Sequence, residues 1–269
     1  MMAPRTPAQE KRLTDLAVAE SVDVHCHCLP GLDDGPATVT EAIALCQTLV
    51  DDGITTVFAT PHQLGRYDGA ISASRIRQAV AALAVTLNEH GLSLRVLCGA
   101  DARLDERLID LIQNGQVLTL GDGRRYLLLE LPHEVYVNPL RILVDLKDRG
   151  MRAIITHPER HYHVQRDPRC VLPWLEQGAV LQLTAGSLLG DFGPLAQRIA
   201  WGLLKSGWAA VVATDAHNPE LRPPRMSAAI AAIASRISFP LARQVCGDNP
   251  LRILQGRDVL TPMDTLIPA

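Results

Sequence analysis

Short runs of consecutive apolar residues, rich in Val, Ile and Leu, recur seven times along the chain: VDVHCH, ITTVFATPH, LSLRVLCGAD, RYLLLELP, RAIITHPE, AVLQLTAGS and WAAVVATDAH. Each is bounded by glycine, proline or polar residues, as expected of a strand buried on both faces. Between them apolar positions return every three or four residues, which predicts helices over 40–52, 72–90, 104–114, 139–149, 170–177 and 194–206. Glycine follows several of these, in DDGI, EHGL, DRGM, EQGA and KSGW, where a left-handed C-cap feeds the next strand.

Alternating strands and helices of this kind make a parallel sheet covered on both faces. Seven units with no linker-like break favour a closed or nearly closed barrel over an open sheet, and one domain over two in 269 residues. Residues 1–20 are polar and read as an N-terminal extension, 21–269 as the single domain, with TPMDTLIPA as a loose tail.

Composition narrows the chemistry. With 3 Phe, 3 Trp and 4 Tyr among 47% apolar residues the core must be aliphatic, and a net charge of -3 gives no basic surplus for nucleic acid. Neither a signal-peptide core nor an apolar run of about 18 residues occurs, so a cytoplasmic protein without membrane insertion is expected. The six cysteines form no CxxC pair and read as buried, reduced thiols.

Six of the seven strand runs end in a metal-type side chain: His25 and His27, His62, Asp101, Glu130, His157, then Asp215 and His217. The C-terminal mouth of a parallel barrel is where such enzymes keep their sites. Residues i and i+2 of a strand share a side, so His25 and His27 project together while Cys26 and Cys28 turn away, and Asp215 and His217 repeat the spacing. One HxH arises easily by chance, and a surface or core pair is its bland explanation; the second cluster and the strand-end placement weigh against that. Imidazoles mixed with carboxylates suit manganese, iron or zinc, and the set is too large for one ion.

The stretches HCHCLPGLDDG, ATPH, RYLLLELP, HPER, QLTAGSL and DAHN resemble the PHP (polymerase and histidinol phosphatase) metal-dependent hydrolases, in particular their bacterial capsule and exopolysaccharide tyrosine-protein phosphatase branch. The likeness runs in order from about Val22 to Pro250, with LRPPRM and GDNPLRIL adding to it. It implies a distorted (β/α)7 barrel with up to three ions, usually Mn2+, at its mouth. By motif, His25, His27 and Asp215 would hold the first ion, Asp101 would bridge to a second held by Glu130 and His157, and Asp34, His62 and His217 would hold a third. The chain departs from the pattern in having Asp101 where the family has Glu, and Gln63 where relatives have a second histidine. The resemblance further implies a substrate in the phosphotyrosine tail of a bacterial tyrosine kinase that controls polysaccharide export.

Metal-assisted attack of water on a phosphomonoester is the expected chemistry, with His217 or a metal-bound water as a modest general acid for the phenolate. Arg160 of HPER is expected to anchor phosphate through its planar fork, against the bland reading of a surface ion pair; Arg222 and Arg225 are weaker candidates. His133, His161 and His163 read as loop histidines near a pocket. Three rivals remain: an amidohydrolase, disfavoured because no lysine ends a strand; a phosphatase of a small ester such as histidinol phosphate; and a metal-binding scaffold without turnover, suggested by Asp101.

Overall fold

Pro61 and the Gly99–Ala100 step interrupt the second and third predicted strands, so the seven runs become nine parallel strands in two sheets. In the computed structural model, which describes residues 20–261, the order is β1 (Val22–Cys26), α1 (Val39–Asp51), β2 (Thr56–Ala59), β3 (His62–Gln63), α2 (Ala73–Glu89), β4 (Arg95–Cys98), β5 (Asp101–Arg103) and α3 (Leu108–Gln113). Then follow β6 (Tyr126–Glu130), α4 (Leu140–Asp148), β7 (Arg152–Thr156), α5 (Tyr162–Arg166), α6 (Leu172–Glu176), β8 (Val180–Thr184), α7 (Ala185–Leu189), α8 (Gly193–Lys205), β9 (Ala209–Ala213), α9 (Met226–Arg236), α10 (Phe239–Arg243) and α11 (Asn249–Leu254). Apart from Glu20, the expected N-terminal extension lies outside the described residues, as do residues 262–269 of the tail. Among the described residues no helix is long and apolar enough to cross a membrane.

One sheet runs β1-β2-β4 and the other β3-β5-β6-β7-β8-β9. Proline offers no N–H to a ladder. At Gly99 a Cβ would lie 2.9 Å from Leu120 Cδ2 and 3.1 Å from Thr60 Cγ2, so a larger residue there would push on both neighbours. The breaks carry β3 and β5 into the second sheet, where His62 pairs with Asp101 and Arg103 with Glu130. Among the described residues no single ladder encloses the fold; the segment after β9 returns beside β1 through a parallel bridge, Cys26 to Ala216, and Asp215 N donates to His25 O at 2.8 Å.

Burial follows the predicted pattern. β1, β2, β8 and β9 are buried along their whole length, and a large aliphatic core fills the space between strands and helices. The helices begin on local signals, as in α1, where Thr38 and Glu41 form a capping box. The predicted 104–114 and 170–177 helices are shorter, as α3 and α6, because Asp105 and Pro168 open turns that delay helical bonding. Cys26, Cys28, Cys46 and Cys246 are buried thiols, and no cysteine is paired among the described residues.

Candidate metal centre

Every strand run predicted to carry a metal-type residue delivers it to one mouth. Asp34, His62, Glu130, His157, Asp215 and His217 line a cavity of about 340 Å³, and His25, His27 and Asp101 are fully buried against them. Asp215 Oδ1 lies 3.5 Å from both His25 Nε2 and His27 Nε2. Asp101 Oδ2 is 3.6 Å from His25 Nε2 and 3.5 Å from His62 Nδ1, which is 3.8 Å from Glu130 Oε2. Asp34 Oδ1 sits 3.5 Å from His62 Nε2 and 3.4 Å from His217 Nε2. His157 packs 5.8 Å from His25, ring to ring.

The backbone is bent to achieve this. His157 and Asp215 hold left-handed conformations, φ 36° and 51°, costly for residues with a side chain and typical of functional sites. In the DDG loop a Cβ on Gly35 would meet His27 O at 2.3 Å, so only glycine lets Asp34 fold back over the histidines.

Hydrogen bonding fixes the ring tautomers, and with them the chemistry. Gln182 Nε2 donates to Leu183 O, which leaves Oε1 to accept from His25 Nδ1 at 2.9 Å. Asp33 Oδ2 accepts from His27 Nδ1 at 2.7 Å. Both Nε2 atoms therefore carry lone pairs, yet they face each other at 3.1 Å. Two lone pairs that close repel unless a cation lies beside them, and Asp215 Oδ1 completes a three-donor pocket on them. Asp101 Oδ2 is likewise buried without a hydrogen-bond partner. The donor set fits divalent metal ions.

Charge gives the same result. Burial, and then the charges of Glu130 and Asp215, push the Asp101 carboxyl well above its usual range, the expected state of crowded carboxylates without a counter-cation. Burial lowers His25 to about 4 and takes His27 and His157 well below the ordinary imidazole value, so the rings are neutral, the form that binds metals. Burial would raise Asp215, but the guanidiniums of Arg160 and Arg222 overcome it and hold that carboxyl well below its usual range.

The arginines divide. Arg160 Nη1 donates to Asp215 Oδ2 at 2.8 Å and Arg222 Nη2 to the same oxygen at 2.6 Å, with both guanidiniums over the Phe192 ring at 4.6 and 5.7 Å. Arg225 does not line the cavity; its guanidinium faces Asp191 at 3.6 Å. Gln63 is committed elsewhere, to Ile71 O, Gln116 O and Leu118 N. His217 Nδ1 donates to Asp215 O at 3.0 Å, so Nε2 carries a lone pair and suits a ligand better than a proton donor.

Sequence reasoning missed Asp33 and Gln182. Both aspartates of DDG reach the cluster: Asp34 faces the cavity and Asp33 accepts from His27 Nδ1. The sixth strand, thought to bring nothing, brings the carboxamide that orients His25; its signal was a lone polar residue in an otherwise apolar buried run. Of the three loop histidines, His133 and His161 gather around His157, whereas His163 lies against Tyr136 and Tyr162.

Comparison with known proteins agrees with this geometry. A family model described as capsular polysaccharide synthesis, CpsB/CapC, matches residues 21–255. The chain is 33% identical over 203 residues to the tyrosine-protein phosphatase YwqE of Bacillus subtilis, spanning 75% of this chain and 79% of that protein. With the tyrosine-protein phosphatase CpsB of Streptococcus pneumoniae it shares 25% over 243 residues, 88% of this chain and 99% of the relative. Among solved structures, one from the pair YwqE and CpsB of those two organisms, described as unique metal-dependent tyrosine phosphatases, superposes with a TM-score of 0.85 at 28% identity over 89% of this chain and 96% of its own. An organophosphorus hydrolase from Deinococcus radiodurans, at 15% identity and TM-score 0.54 over 88% of this chain and 94% of its own, shares the fold alone.

Proposed function

The chain belongs to the capsular polysaccharide synthesis CpsB/CapC family, and on that premise we propose that it is a metal-dependent phosphatase that releases phosphate from phosphotyrosine in proteins. The observation that carries this reading is the pair of bare imidazole nitrogens, 3.1 Å apart, ringed by carboxylates at the end of a cavity of about 340 Å³. His25, His27 and Asp215 are assigned to one ion, Asp101, Glu130 and His157 to a second, and Asp34, His62 and His217 to a third, with manganese as the metal. When bound, such ions ease the ionisation of water near neutral pH and neutralise the charge that grows on phosphoryl oxygens.

The chain's own groups supply the rest. Arg160 and Arg222 stand on Asp215 Oδ2 at 2.8 and 2.6 Å, beside the Phe192 ring, so a phosphoryl group entering the cavity meets two preset guanidiniums. Tyr67, stacked on His62 at 5.6 Å, offers the phenyl ring of the substrate an aromatic wall. A phenolate leaving group, with a conjugate acid of pKa about 10, departs without a strong proton donor, consistent with the bare Nε2 of His217. The physiological substrate is assigned as the phosphotyrosine tail of a bacterial tyrosine kinase in the cytoplasm, residues 21–269 acting as one catalytic unit.

Phosphate release should be measured on a phosphotyrosine peptide, a phosphoserine peptide and histidinol phosphate, with manganese and again after chelation. Manganese-dependent release favouring phosphotyrosine is expected. Release that survives chelation, or none from any ester by the metal-loaded protein, would refute the proposal, and preference for histidinol phosphate would replace the substrate.

A further inference from the structure

Beside the centre lies a second, all-nitrogen cluster. We propose that His133 and His161 join His157, which gives up its remaining ring proton to solvent so that each of its nitrogens can hold a cation, in binding one further divalent cation, of the nitrogen-preferring kind such as zinc or nickel, at the edge of the metal centre. This rests on the reading above only through His157 and Glu130.

One ring nitrogen from each of the three histidines lies within 4.8 Å of the others. The His157 ring meets His133 and His161 edge-on, with centroids 5.0 and 5.7 Å away, and His133 and His161 are 4.9 Å apart. His133 Nε2, His157 Nδ1 and His161 Nε2 are all buried without a hydrogen-bond partner, and His157 and His161 are only 1% and 3% exposed. Three orphaned nitrogens in one place are costly unless something satisfies them together. Backbone bonds hold the two segments in position: Tyr162 N donates to His133 O at 2.9 Å and His161 N to Pro158 O at 3.1 Å.

Glu130 Oε1, 3.7 Å from His133 Nε2, offers a carboxylate to complete the set. The nearby cations do not preclude a metal, because Arg160 is committed to Asp215 at 2.8 Å and Arg103 to Glu130 at 3.0 Å. Imidazole-rich sites favour zinc, nickel or copper over manganese, which prefers oxygen.

Metal-free protein should be saturated separately with zinc and with manganese, desalted, and its metal counted by mass spectrometry. The wild type is expected to retain about one more equivalent of zinc than of manganese. The H133Q/H161Q variant should lose that excess and keep its manganese. Equal zinc counts in wild type and variant would overturn the proposal. Should the variant misfold by circular dichroism, X-ray absorption at the zinc edge on manganese-loaded wild type given about one equivalent of zinc decides: a three-imidazole shell supports the site, and an oxygen-dominated shell overturns it. Failure of the wild type to retain manganese would instead count against the metal centre proposed above, since the difference in zinc count between wild type and variant does not depend on manganese.

Discussion

Replacing Gln182 with Leu removes one hydrogen bond to a metal-type residue without touching the cavity. In the wild type Gln182 Oε1, 2.9 Å from His25 Nδ1, keeps the proton there and leaves Nε2 bare. Without that acceptor, His25 gains by moving its proton to Nε2, where His27 Nε2 at 3.1 Å can accept it. The lone pair a cation needs is then lost. Removing an outer hydrogen bond of this kind costs metal affinity about 10- to 100-fold, or about 1.4 to 2.8 kcal/mol. The metal-free protein should lose less than the ~1–3 kcal/mol of an orphaned buried donor, because the new His25–His27 bond offsets part of it. Calorimetric titration of metal-free protein with manganese, alongside denaturant unfolding of the same samples, measures both. Gln182→Glu, which keeps an acceptor on Nδ1, should restore affinity while losing stability, since its second oxygen would face Leu183 O, now 2.8 Å from Nε2. Unchanged manganese affinity in Gln182→Leu, with stability reduced, would refute the tautomer argument.

Gly35→Ala places a methyl where His27 O stands at 2.3 Å, so the DDG loop must move; a loss of ~1–3 kcal/mol and of one bound metal equivalent is expected, read by thermal denaturation and metal counting. Arg160→Ala should raise KM or lower kcat on phosphotyrosine peptide by about tenfold or more, whereas Arg225→Ala, whose side chain faces Asp191 outside the cavity, should leave both unchanged. Burial raises Asp23 to about 7 against the pull of its bonds to Thr214. Because the folded value lies above the unfolded one, the protonated carboxyl stabilises the fold below about pH 4 and that contribution is lost as pH rises through about 7. Chelated wild type should therefore lose stability relative to Asp23→Asn between pH 4 and 7, and parallel pH profiles for the two would contradict it.

The chain's own pattern settled a good deal. Buried parallel strands are continuous apolar runs, and a ligand at the end of such a run must emerge at the mouth, so His25, His62, Glu130 and Asp215 could be placed from local sequence. Period-two spacing alone put His25 and His27 on one side and Cys26 on the other, because that geometry belongs to a single strand. Contacts between distant segments carry no such mark. Nothing near Gln182 announces His25, 157 residues away, and nothing near His133 announces His161, since the loop after β6 and the turn after β7 meet only when the strands pair. The choice between Asp33 and Asp34, and the direction in which Arg225 points, depended on backbone angles set by packing around Gly35 and at Arg225 itself, where φ is 59°. Sequence thus determined which donors reach the rim, because strand register is local; the tertiary fold decided which nitrogen each ring presents, because that depends on a partner brought from elsewhere in the chain.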